Sequence, residues 1–240
     1  MENPSPPAFL PTPISRWDIS RPAAYPPLAP PELSGTYCPV LFFDIAAFGD
    51  PKRDNDIQMF ARDGLYQILR RTFARMGISQ VPYYRQDYGD GILAVLPPTA
   101  AIDTIASLPA WLHREIQRYN KCASQAARIQ LRAVLHVGPI YWDDHGVCGD
   151  TLTHAARLID AQPIKDELAA ADADLVFAVS EPVYGAVIRH SPQPGNLAYR
   201  QIRARVKESQ VNPWITVVGG RVPAAASDHQ PPLTAVPDMP

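Results

Sequence analysis

The placement of proline constrains this chain more than any other feature. Of its 27 prolines, Pro4, Pro6, Pro7, Pro11, Pro13, Pro22, Pro26, Pro27, Pro30 and Pro31 crowd the start, and Pro223, Pro231, Pro232, Pro237 and Pro240 punctuate the finish. Each proline removes a backbone donor and fixes φ, so neither end suits a helix interior or a central strand. The expected organisation is a proline-rich disordered arm over 1–35, one folded unit over 36–220 and a disordered tail over 221–240. The arm reads as a solubilising extension, with an SH3-type ligand as the alternative. At 240 residues with 46% hydrophobic positions, the chain can bury one substantial core.

Charge and cysteine usage remove several function classes. The 22 basic and 24 acidic residues nearly cancel, so no field draws the chain to nucleic acid or to an anionic membrane. Cys38, Cys122 and Cys148 are odd in number and lack CxxC spacing, against both a disulfide framework and a structural zinc site. No apolar run approaches the roughly 18 residues of a membrane span, and the reading is of a soluble cytoplasmic protein.

Between the proline-rich ends, hydrophobic periodicity lays out alternating strands and helices. Tyr37 to Ile45 reads as a buried strand interrupted by one charge, Asp44. Ile57, Phe60, Ala61, Leu65, Ile68, Leu69, Phe73 and Met76 recur at helical steps, stopped by Gly77. Val81 to Tyr88 and Ile92 to Leu96 form a hairpin around Gly89-Asp90-Gly91. A helix over Ile102 to Cys122, bent or restarted at Pro109, completes a βαββα unit.

The second half continues with a strand from Ile129 to Val137, a turn at Gly138-Pro139 and a short strand Ile140 to Trp142. A polar tip at Asp143 to Gly146 then leads to a helix opening at Gly149, with Asp150 or Thr151 as its cap. Leu175 to Val179 is a strand, Glu181 to Arg189 a helix, and Tyr199 to Val206 and Trp214 to Val218 the closing strands. The expected class is α/β (α+β) of the ferredoxin-like, split βαβ type, with a mixed antiparallel sheet and helices packed on it.

Asp44 and Asp90 carry the chemistry. Burying an unpaired carboxylate within Val-Leu-Phe-Phe-Asp-Ile costs several kcal/mol, roughly, unless a cation or donors compensate. If the two strands pair, both carboxylates reach one end of the sheet, and two hard oxygen ligands side by side suit Mg²⁺ or Mn²⁺ with substrate phosphates. The plain alternative for Asp90 is an ordinary turn aspartate. No P-loop, dinucleotide fingerprint or nucleophile triad is present, and His136, His154, His145 and Cys148 read as structural or solvated.

Three collinear blocks resemble the catalytic domain of class III nucleotidyl cyclases: Phe42 to Phe48, Tyr88 to Val95, and Leu135 to Pro139 followed by Gly149 to Leu158. The resemblance implies a palm-type cyclase domain that uses two Mg²⁺ or Mn²⁺ ions. Its metal ligands would be Asp44, the backbone of Ile45, and Asp90. It further implies that backbone N–H groups of Ala46, Ala47 and Phe48 cradle phosphate, and that Arg157 steadies the transition state. Lys207 is placed at the triphosphate-binding lysine, with a surface lysine as the alternative. The family builds its sites at a head-to-tail homodimer interface, so a homodimer acting on a nucleoside triphosphate is implied.

The chain also departs from the family. Thr153 stands where the family carries a transition-state asparagine, and Gln86 and Gly146 occupy the base-reading positions with neither purine code. Some bacterial anti-phage members of the family make cyclic UMP or CMP, so a pyrimidine substrate, UTP or CTP, becomes an expectation in antiviral signalling. Such a protein would answer to a separate regulatory protein or a cyclic-nucleotide effector. The competing expectations are a catalytically silent nucleotide-binding or regulatory homologue and a diguanylate-cyclase-like palm domain.

Overall fold

The computed structural model describes residues 34–78, 84–100, 102–143, 145–190 and 197–220. The expected arm, apart from Ser34 and Gly35, and the expected tail lie outside the described residues, as do Val81 to Tyr83 and Asp144. Strands are β1 Thr36–Ile45, β2 Tyr84–Asp87, β3 Gly91–Val95, β4 Leu131–Asp143, β5 Gly146–Cys148, β6 Leu175–Val179, β7 Arg200–Gln201, β8 Ala204–Val206, β9 Ser209–Val211 and β10 Trp214–Val218. Helices are α1 Asn55–Arg75, α2 Ile102–Ala106, α3 Leu108–Asn120, α4 Asp150–Asp160, α5 Gln162–Ala170 and α6 Glu181–Ala186, the last followed by a 3₁₀ turn Ile188–His190.

Among the described residues the main sheet runs β2-β3-β1-β4-β6-β10-β7, with β5 paired to β4. All its neighbours are antiparallel except β4 and β6. This is the mixed α/β architecture expected. Alternation along β1 explains the layers: Leu41, Phe43 and Ile45 face a core closed by Leu65, Leu69 and Phe73 of α1 and by Leu112 and Ile116 of α3. Cys38 and Val40 face a second core closed by Ala155 and Leu158 of α4 and by Ile164 and Leu168 of α5. At about 25 cal/mol per Å², each fully buried Leu or Phe contributes on the order of 2 kcal/mol. No helix among the described residues is long and apolar enough to cross a membrane.

Three sequence expectations are corrected, and one helix is added. The turn at Gly138-Pro139 is absent: β4 runs through it, with Gly138 opposite Cys38 and Pro139 opposite Tyr37. Gly138 serves helix approach instead, because a Cβ there would lie 2.5 Å from Thr151 Oγ1 of α4. Pro139 is tolerated because β6 ends opposite Leu135, leaving that side of β4 without β6 as a partner. Neither Asp150 nor Thr151 caps α4: the cap is Gly149 with φ 117, and Thr151 donates its hydroxyl to the Pro139 carbonyl at 2.7 Å.

Helix α5 was not anticipated, although Pro163 in its first turn is a start signal. Finally, Tyr199 to Val206 is not one strand. Only Arg200–Gln201 joins the main sheet, while β8 turns at Lys207 (φ 54) to pair with β9. The break at Pro109 is real, with α2 ending at Ala106 and α3 starting at Leu108.

Candidate functional site

Strand register brings the two carboxylate positions together. Asp44 stands opposite Gly91 of β3, and the Ile45 N–H donates to the Asp90 carbonyl at 3.0 Å, fixing the hairpin tip beside the end of β1. Gly91 is required for this approach: a Cβ there would sit 2.5 Å from the Phe43 carbonyl oxygen. Gly89, at φ 93, supplies the positive φ of the turn.

Asp44 faces the α4 side of the sheet, directly across from Arg132 of β4. The two side chains form an ion pair that is mostly buried, Arg132 being 14% and Asp44 20% exposed. Arg132 Nη2 meets Asp44 Oδ2, while Arg132 Nε finds no acceptor among the described residues. Burial pushes the Asp44 carboxyl up from its ordinary pKa, Arg132 pulls it back, and Asp90 pushes it up again. Lys165 of α5 adds a smaller positive influence there and pairs with Asp160 at 3.6 Å.

A mostly buried carboxylate whose charge is opposed by burial and by a second carboxylate fits a hard divalent cation. The described residues hold no cluster of three or more His, Cys, Asp or Glu side chains. A cation at Asp44 and Asp90 would therefore draw on backbone, water or substrate oxygens for the rest of its shell. In the loop after β1, Ala46 donates its N–H to the Gln130 carbonyl at 2.9 Å. In this conformation the Ala46 N–H, expected to meet phosphate, is bonded within the chain. Ala47 follows at φ 51, in the left-handed region.

A second group lies on α4. Thr153 and Arg157 are four residues apart and share one helix face, Thr153 exposed and Arg157 27% exposed. Thr153 turns its hydroxyl back to the Gly149 carbonyl at 3.4 Å. Arg157 pairs with Glu208, which lies beside Lys207 in the β8–β9 turn, so the hairpin turn carrying Lys207 lies next to Arg157. A cleft of about 350 Å³ lined by Arg203, Arg205, Glu208 and Gln210 runs along this hairpin. No hydrogen bond or ion pair among the described residues links this group to the carboxylates.

A third group joins Gln86 and Gly146. The Tyr84 hydroxyl donates to Gln86 Oε1 at 3.1 Å, and a Cβ on Gly146 would lie 2.9 Å from that same hydroxyl. Tyr84 was not anticipated. His136 is bonded through Nδ1 to Ser180 Oγ at 2.7 Å and packs 4.7 Å from the His154 ring. Burial, with His154 adding to it, lowers the His136 pKa to about 4. Arg132 was also missed, although a lone charge within Leu131 to Val137 is the same signal that singled out Asp44.

No protein-family model and no curated protein matches the sequence. Solved structures do match in shape. The guanylyl cyclase Cya2 aligns over 78% of this chain and 96% of its own at 11% identity and TM-score 0.52. An adenylate/guanylate cyclase/hydrolase from Silicibacter pomeroyi aligns over 75% and 96% at 20% identity and TM-score 0.52. A bacterial light-regulated adenylyl cyclase aligns over 77% and 92% at 13% identity and TM-score 0.52. The strand order, the β1 end with its facing hairpin, and these three alignments together give this chain the fold of the adenylyl and guanylyl cyclase catalytic domains.

Proposed function

We propose that this chain is a divalent-metal-dependent nucleotide cyclase, converting a nucleoside triphosphate to a 3′,5′-cyclic nucleotide and pyrophosphate. The observation that carries the reading is the juxtaposition of Asp44 and Asp90 at one end of the sheet, with the mostly buried Asp44 carboxylate facing Arg132 and influenced by Asp90. Asp44, Asp90 and the Ile45 carbonyl would hold two Mg²⁺ or Mn²⁺ ions, which supply charge neutralisation and activation of the ribose hydroxyl when bound. Arg132, already beside Asp44, is placed to meet triphosphate oxygens as the carboxylate turns to the cation.

Arg157 and Thr153 present donors from the outer face of α4. They suit the charge that develops on the α-phosphoryl oxygens as the 3′-oxygen attacks and pyrophosphate leaves. Because this group has no bond to the carboxylates among the described residues, we place the site between two copies, each completing the other's. Freeing Arg157 from Glu208 would then accompany assembly. Gln86, Gly146 and Lys207 belong to substrate binding on this reading, and the missing purine code favours UTP or CTP. A silent nucleotide-binding module is the second reading, favoured by the Thr153 hydroxyl turned back onto its own helix.

Mixing tests both parts. Asp90→Asn and Arg157→Ala proteins, each inactive alone, should recover up to about one quarter of wild-type cyclic product when random dimers form, since one composite site in each mixed dimer stays intact. Wild-type protein that turns over no triphosphate, or mixed dimers with no recovered product beside an active wild type, would refute the shared-site cyclase.

A further inference from the structure

Tyr84 touches both base-reading positions: its hydroxyl is hydrogen-bonded to Gln86 and fills the space beside Gly146. The side chain is 9% exposed, and its ring stands edge-on to Trp142 with centroids 5.3 Å apart, so the phenol cannot swing away. It lies two residues before Gln86 on the same strand face. A phenol has one proton to give. The phenol gives that proton to Gln86 Oε1 at 3.1 Å, so the amide nitrogen, with two N–H donors, is left for a ligand.

Gly146 cannot oppose this polarity. A Cβ at that position would come within 2.9 Å of the Tyr84 hydroxyl, so the phenol occupies the space a side chain would need. No side-chain acceptor is therefore supplied from there. Trp142, packed against Tyr84, adds a buried indole N–H with no acceptor among the described residues. With Oε1 bonded to the phenol, the NH₂ is the part of the Gln86 side chain left to donate.

We infer that Tyr84 is the specificity-setting residue of the base subsite: it locks the Gln86 amide with its NH₂ toward the substrate, so that the site selects a base bearing an exocyclic carbonyl. Uracil, cytosine and guanine carry such an oxygen; adenine does not, and its exocyclic amine would face donors. This rests on the cyclase reading, with Gln86 and Gly146 beside the base, and adds to it a residue and a substrate class.

The test compares the α,β-methylene analogues of ITP and ATP, which differ at the purine 6-position and resist cyclisation. Their dissociation constants on the full chain with Mn²⁺ should differ by about tenfold or more in favour of the ITP analogue, the worth of one matched against one mismatched hydrogen bond. Tyr84→Phe keeps the ring and its packing but frees the amide to turn, and should bring the ratio close to one while both analogues still bind. Gln86→Glu, at an exposed position that folding does not need, replaces the donor with an acceptor and should shift the ratio toward the ATP analogue.

Equal affinity of the wild type for the two analogues, or a ratio unmoved by both substitutions, would overturn the inference and leave the cyclase reading standing. Failure of both analogues, and of the UTP and CTP analogues, to bind wild-type protein would overturn the two together.

Discussion

Gly91→Ala isolates the contact that sets the spacing of the two carboxylates. The new Cβ would sit 2.5 Å from the Phe43 carbonyl oxygen and 3.5 Å from the Asp44 Cα, whereas ordinary Cβ contacts begin near 3.4 Å. The obstructing atom is backbone in a central strand, so β3 must retreat from β1 by the shortfall, about 0.9 Å. Overpacking of this kind costs about 1–3 kcal/mol. For a domain of this size that lowers Tm by roughly 3–10 °C. The displacement falls on the hairpin that carries Asp90, and a misplacement near 1 Å at a reacting centre costs on the order of 100-fold in rate.

The assay is thermal melting with and without Mn²⁺, alongside turnover. Gly64→Ala is the control, because its Cβ would meet the Tyr119 ring at 2.4 Å, on the α1–α3 side away from the hairpin. Both variants should melt lower than wild type, but only Gly91→Ala should lose the Mn²⁺-dependent rise in Tm and the activity. A Gly91→Ala protein that keeps a wild-type Mn²⁺ response would refute the claim that register sets the metal site.

Two further outcomes follow from buried charge. Asp44→Asn should abolish Mn²⁺ stabilisation and destabilise the fold by about 3 kcal/mol, because Arg132 is left as an uncompensated, mostly buried charge; adding Arg132→Met should restore the Tm without restoring the Mn²⁺ response, as read by melting curves. His136 is held neutral in the folded protein, its pKa lowered to about 4 by burial and by the neighbouring His154, which itself faces Arg157. An unfolded histidine binds a proton more readily, near pH 6.5, so stability is complete above that value and declines as pH falls toward 4. The decline should amount to up to about 2 kcal/mol after allowing for partial solvent screening of the ring. His136→Gln should flatten this part of the stability–pH profile measured by urea unfolding.

The elements read most clearly from sequence are those whose periodicity coincides with burial. Trp214 to Val218 and Leu175 to Val179 match their strands residue for residue, and Asp44 was singled out because a charge interrupts an apolar run. Gly138-Pro139 misled because local turn chemistry was overridden by helix packing: the glycine admits Thr151, which no local rule encodes. Tyr199 to Val206 misled because a continuous β-type pattern does not say where a strand leaves one sheet for another. Arg132 and Tyr84 matter through partners 88 and two residues away, Asp44 and Gln86. Arg132 could have been paired with Asp44 once the β1–β4 register was known, but the contact of Tyr84 with Gly146 depends on β5 coming back beside β4.

The most direct test of the cyclase reading is to incubate the full-length protein with Mn²⁺ or Mg²⁺ and each of the four ribonucleoside triphosphates, scoring products by mass spectrometry beside an Asp90→Asn control. A 3′,5′-cyclic monophosphate with stoichiometric pyrophosphate, lost in the control, is the predicted result, with UTP or CTP as the substrate. Folded, dimeric protein that forms no cyclic product from any of the four, or that forms it equally with Asp90→Asn, would contradict it.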